Sequence, residues 1–219
     1  MGEPQIVGIG GDPTALWPYV LDLVSPSPRV LWVGTASAED PALSLVIHDQ
    51  LADRARVRRL EFFPWPPGDI RELVRSQDVI VVGGGNTANM LAIWRVHGFD
   101  ALLREAWEQG IVLTGWSAGM ICWFEAGVTD SFGPGLAGMR DGLGLLPGSA
   151  CPHYDGEGLR RPVYRRLVDE GFPPGYAADD GVGLHFVGTE LAETVTSREG
   201  ATAYRVEPGA ETPLGARPV

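Results

Sequence analysis

Ile111-Val112-Leu113-Thr114-Gly115-Trp116-Ser117-Ala118-Gly119, followed by Met120-Ile121-Cys122-Trp123-Phe124, decides the fold. An apolar run, a serine between glycines and a second apolar stretch read as strand, sharp turn and helix. At such a turn the serine stands clear of the sheet on a strained backbone. The flanking glycines remove Cβ atoms that would clash, and the first helical N–H groups point back toward the serine oxygen. That is the geometry of a nucleophile elbow. The competing reading is a glycine-rich turn whose serine only caps the helix.

Working outward, Gln5 to Ile9, Arg29 to Val33, Val57 to Phe62, Asp78 to Val82 and Ile111 to Trp116 read as strands. Leu43 to Arg54, Thr87 to Val96 and Leu102 to Gln109 have helical spacing between them. This alternation predicts an α/β fold: a parallel sheet covered on both faces, with active groups at the carboxyl ends of the strands. Pro64-Trp65-Pro66-Pro67-Gly68 reads as a connector. One domain over residues 1–208 and a flexible tail over 209–219 are expected from 219 residues, 44% of them hydrophobic.

The chain contains no lysine; all 17 basic residues are arginine. Serine–lysine dyads, lysine Schiff bases and P-loop lysines are thereby excluded. A base for Ser117 must come from the four histidines, because an ordinary carboxylate is too weak to activate a hydroxyl. His48 and His97 fall in helix-like stretches, and His185 in an apolar strand-like run that marks a core or edge residue. His153, in a proline-fixed break, is the preferred base. The acid that orients it is either Asp130, after the elbow helix, or Asp180, on a turn at a sheet end; Asp180 is favoured. Gly83-Gly84-Gly85-Asn86-Thr87 lacks the P-loop lysine and the dinucleotide spacing. A Gly84 or Gly85 N–H, with that of Ala118, would instead form an oxyanion hole worth ~3 to 4 kcal/mol per donor. The bland alternative is a tight turn, with Asn86 or Thr87 capping the next helix.

A net charge of −11 argues against nucleic acid and against anionic membrane surfaces. No membrane span or signal core is visible, and the expected compartment is the cytoplasm. Two cysteines, Cys122 and Cys151, make no disulfide framework, and no metal-ligand spacing occurs. No metal and no cofactor are expected; a small peptide is the expected partner, and a homodimer is allowed.

Four motifs carry a resemblance: Gly115 to Gly119, Val82 to Thr87, Pro152-His153-Tyr154 and Ala178-Asp179-Asp180-Gly181. In this order, and over about residues 5 to 206, the chain resembles the peptidase E (aspartyl dipeptidase) and cyanophycinase family of serine peptidases. The resemblance implies a fold like class I glutamine amidotransferases, Ser117 as nucleophile, His153 as base and the acid at Asp180. The family more often has a glutamate at that last position, one methylene longer. It also implies dipeptides with an N-terminal aspartate as substrates. An acidic substrate approaching an acidic protein requires a local cation, for which Arg160, with Arg161 next, matches the family's arginine-bearing segment. The alternatives are an esterase or amidase on the same residues, or a catalytically silent binding or sensing homologue.

Overall fold

A computed structural model describes residues 2–219. In chain order the elements are β1 (Gln5–Ile9), α1 (Trp17–Asp22), β2 (Arg29–Val33), α2 (Pro41–Leu51), β3 (Arg56–Leu60), α3 (Ile70–Arg75), β4 (Val79–Val82), α4 (Thr87–Val96), α5 (Phe99–Glu108), β5 (Val112–Trp116) and α6 (Ala118–Ile121). They continue with β6 (Phe124–Thr129), β7 (Ala137–Met139), β8 (Leu146–Cys151), α7 (Arg160–Asp169), β9 (Gly175–Ala178), β10 (Val182–Val187), β11 (Glu190–Thr196), β12 (Ala203–Glu207), β13 (Ala210–Pro213) and β14 (Arg217–Pro218).

The first sheet has the order β14-β11-β10-β1-β5-β4-β2-β3. From β1 to β3 every neighbouring pair is parallel, while β10 runs antiparallel to β1. The apolar runs read from sequence form its centre because strands buried on both faces cannot alternate with polar residues. Val79, Ile80, Val81 and Val82 are all fully buried, and successive residues face opposite layers. Val79 and Val81 pack on Trp17, Val20 and Ile47 of α1 and α2. Ile80 and Val82 belong to the opposite cluster with Met90, Trp94, Phe99 and Leu103 of α4 and α5.

A second, six-stranded sheet has the order β13-β12-β9-β8-β6-β7. The alternation of strands and helices in the sequence does not announce it. The apolar stretch after the elbow serine, expected to continue as helix, gives only the four residues of α6 before turning into β6. Phe124, Leu146 and Ala203 of the second sheet share a cluster with Ile6 and Leu113 of the first, so one core joins the two. The segment expected to be a flexible tail also carries structure: β13 pairs with β12 and β14 with β11, one strand on an edge of each sheet. Among the described residues no helix is long and apolar enough to cross a membrane.

Candidate active site

Ser117 stands between β5 and α6 with φ 56° and ψ −114°, a conformation that costs a non-glycine residue of order ~1 to 3 kcal/mol. The flanking glycines explain how the chain reaches it. A Cβ on Gly115 would lie 2.5 Å from the Val82 carbonyl oxygen and 2.7 Å from that of Gly119; on Gly119 it would lie 2.2 Å from the Val82 oxygen. β4, β5 and α6 therefore meet backbone to backbone, and only glycine fits at either position. Trp116 stacks on Trp32 with centroids 5.6 Å apart, and Gly83 leaves room for that ring, since its Cβ would lie 2.5 Å from it.

The carboxyl end of β1 gathers the other groups. The Ser117 N–H donates to the Ile9 carbonyl at 3.2 Å, and the His153 N–H donates to the next carbonyl, that of Gly10, at 2.9 Å. His153 also has a left-handed backbone, φ 53°. Its Nδ1 lies 2.7 Å from Asp180 Oδ1; an ionised carboxylate only accepts, so Nδ1 is the donor, and in the neutral ring Nε2 is then the acceptor. The Tyr154 N–H donates to the Ala178 carbonyl at 3.1 Å, binding the histidine turn to the strand that leads into Asp180. In this arrangement the Ser117 hydroxyl makes no hydrogen bond to the ring; the two are assembled through Ile9 and Gly10.

Asp180, and not Asp130, is thus the carboxylate on His153. Asp130 is exposed at the end of β6. The other histidines are accounted for elsewhere: His48 is exposed beside Asp49, His97 ends α4 against the Phe62 ring, and His185 is buried in β10 between Tyr19 and Gln5. Sequence reasoning overlooked Gly10, Gly11 and Gly156. A Cβ on Gly11 would fall 1.9 Å from Asp180 Oδ1, and on Gly156 2.4 Å from Oδ2. The carboxylate sits between two bare backbones. A glycine pair directly after a parallel strand is the signal that could have found the first two, as it found Gly83 to Gly85.

The glycine loop after β4 also lies at the site. The Cβ position of Gly84 is 3.1 Å from the Ser117 Cβ, whereas that of Gly85 is 2.2 Å from the Ala36 carbonyl. A side chain would therefore meet the serine at Gly84 and the loop after β2 at Gly85, so both positions need glycine. Ala118 opens α6, where an N–H has no intrahelical acceptor. Asn86 caps α4, its side chain accepting from the Asn89 N–H at 2.9 Å, so the loop is also the tight capped turn that the sequence allows.

The two arginines expected to form a free clamp are both engaged. Arg160 is 3% exposed; its Nε donates to Glu157 at 2.7 Å and an Nη to the Val128 carbonyl at 2.9 Å. Arg161 pairs with Glu211 and lies over the rings of Tyr154 and Tyr204, 5.5 and 4.9 Å from their centroids. α7 packs on the second sheet, whose strands supply Val128, Tyr204 and Glu211 among these partners. Cys122 and Cys151 are buried; burial pushes the Cys151 thiol up to about 12 and that of Cys122 well above its ordinary value. Among the described residues no group of three or more His, Cys, Asp or Glu side chains is placed to hold a metal ion.

Residues 10–194 match Peptidase family S51. Over 212 residues the chain is 45% identical to an uncharacterized peptidase, YgaJ, of Bacillus subtilis, covering 92% of this chain and 91% of that protein. It is 30% identical over 141 residues to Peptidase E of Shewanella denitrificans, 60% of each chain. Two crystal structures share the fold. A putative peptidase E of Listeria monocytogenes has a TM-score of 0.69 at 20% identity, covering 89% of this chain and 99% of its own. A peptidase from an acI-B1 Actinobacterium has a TM-score of 0.74 at 16% identity, covering 98% and 95%.

Proposed function

Because this chain belongs to peptidase family S51 and is a serine-type peptidase, we propose that it cleaves small peptides through Ser117, His153 and Asp180. One observation carries the reading. The serine with a forced left-handed backbone and the histidine bonded to a carboxylate hang from consecutive carbonyls, those of Ile9 and Gly10.

Ser117 Oγ attacks the peptide carbonyl while His153 Nε2 takes its proton. Asp180 holds the Nδ1–H and stabilises the imidazolium as it forms. The N–H of Ala118, with that of Gly84 or Gly85, receives the oxyanion. The C–N bond breaks as His153 returns its proton to the leaving amine, giving an acyl-enzyme. Water, deprotonated by the same nitrogen, attacks the ester and releases the new carboxylate with Ser117 restored. No cofactor enters these steps. The catalytic compartment is proposed to be the cytoplasm.

The clamp expected to hold an N-terminal aspartate of the substrate would draw on Arg160 and Arg161, whose guanidiniums are bonded to Glu157 and Glu211. We therefore assign small neutral peptides as the substrate class.

The test is fluorophosphonate labelling. The unmodified protein should take up one label per chain, and Ser117→Ala none, with its melting temperature retained. Asp180→Asn should slow labelling by about 1,000- to 10,000-fold, since an amide there favours the wrong imidazole tautomer. Asp130→Asn should label at the unmodified rate. Labelling of Ser117→Ala, or a slower Asp130→Asn than Asp180→Asn, would remove the assignment.

A further inference from the structure

Asp180 is held through its backbone by two residues that the reaction does not itself require. The Asp180 N–H donates to Asp155 Oδ1 at 2.9 Å, and Asp155 lies two positions after His153 on the same turn. Arg198 completes the figure: its Nε donates to the Asp180 carbonyl at 3.1 Å, and one Nη pairs with Asp155 Oδ2. One guanidinium thus spans the backbone of the acid and the turn of the base.

Arg198 is itself fixed by short-range bonds. Its N–H donates to Thr196 Oγ1 at 3.1 Å, whose hydroxyl donates to the Arg198 carbonyl at 2.9 Å. The neighbouring Ser197 N–H donates at 2.9 Å to the carbonyl of Gly181, the residue after Asp180. The loop after β11 is therefore locked to the acid's own turn before the side chain reaches across. The negative charges of Asp155, Asp179 and Asp180 all act on the Arg198 guanidinium and favour its charged form.

We propose that Arg198 and Asp155 form a brace that sets Asp180 in register with His153, making both positioning residues of the hydrolytic centre. The proposal rests on the reading of Ser117, His153 and Asp180 given above. The pair is half-exposed, so its contribution to global stability is small. Its consequence is geometric: a displacement of about 1 Å in a catalytic group costs up to about 100-fold in rate.

The experiment measures two things on the full chain and on Arg198→Ala: the rate of fluorophosphonate labelling, and the downfield proton resonance of His153 Nδ1–H, assigned by its absence in His153→Ala. We expect Arg198→Ala to label about 10- to 100-fold more slowly at an unchanged melting temperature. Its Nδ1–H resonance should move or broaden into exchange with water, and added methylguanidinium should restore both signals. A variant that labels within about twofold of the unmodified rate and keeps the resonance would overturn the brace, as would a loss that methylguanidinium leaves untouched. Should the unmodified protein fail to label, the triad reading fails by itself, and the resonance still decides whether Arg198 sets the His153–Asp180 contact.

Discussion

The two halves of the candidate site are built by opposite means. Ser117 is placed by backbone alone: Gly115 of β5 and Gly119 of α6, both buried, are pressed on Val82. His153 shares that backbone anchoring, through the Gly10 carbonyl, but its contact with Asp180 is held by side-chain bonds between half-exposed charged residues drawn from distant points of the chain, Asp155 and Arg198 among them. The first construction tolerates no added atom but is indifferent to charge. The second has room to move and depends on charge. Asp155 carries the mark of this: burial raises its carboxyl, yet Arg198 and the Asp180 N–H more than offset burial and hold it below the usual carboxylate range.

The largest effect that tests this contrast is a single methyl group on the serine side. In Gly119→Ala the new Cβ lies 2.2 Å from the Val82 carbonyl oxygen, and neither partner is a side chain that can rotate away. We expect a loss of about 3 kcal/mol in urea unfolding or no folded protein at all. A Gly119→Ala variant that melts like the unmodified protein would show the elbow to be softer than its packing implies.

The same methyl on the other side should act on chemistry and spare the fold. In Gly11→Ala the Cβ lies 1.9 Å from Asp180 Oδ1, the oxygen that His153 Nδ1 contacts at 2.7 Å. A carboxylate can rotate out of the way, but in doing so it leaves the imidazole. We expect a stability change below about 1 kcal/mol with fluorophosphonate labelling slowed about 10- to 100-fold. Equal damage to melting temperature in Gly11→Ala and Gly119→Ala would erase the distinction between the halves.

The contrast also explains what was legible in the sequence. The elbow, Gly83 to Gly85 and the strands around them are local patterns: buried runs of valine and leucine ending in glycine, readable because the strand and its turn are consecutive. His153 and Asp180 were reachable by elimination and by motif order. Asp155 and Arg198 were not, since their meeting is set by which strand pairs with which. The second sheet stayed hidden for a related reason. Its strands carry breakers, such as Pro147 and Gly148 in β8 and Gly175 in β9, and β8 meets β9 only after the intervening α7. Proline and glycine in residues 209–219 read as a tail, yet β13 and β14 find open edges there.

The smallest expected effect concerns substrate, where the charge-dependent half has no cation to spare. Arg160 is buried against Glu157, and Arg161 is held by Glu211 over two tyrosine rings. An Asp-X dipeptide entering a protein of net charge −11 meets Asp155 and Glu157 on the very turn that carries His153. With the guanidiniums of Arg160 and Arg161 both engaged, desolvating the substrate carboxylate is not compensated by them. We expect kcat/KM for Asp-Leu to exceed that for Ala-Leu by no more than about fivefold. Arg161→Ala should change this ratio by less than about twofold, because its guanidinium is already committed to Glu211 and the two tyrosine rings. A preference for Asp-Leu above about 100-fold that disappears in Arg160→Ala would mean that the substrate displaces Glu157 from its arginine. The charged half of the site would then rearrange on binding while the glycine half stays fixed, and the ratio of the two dipeptides would measure that rearrangement directly.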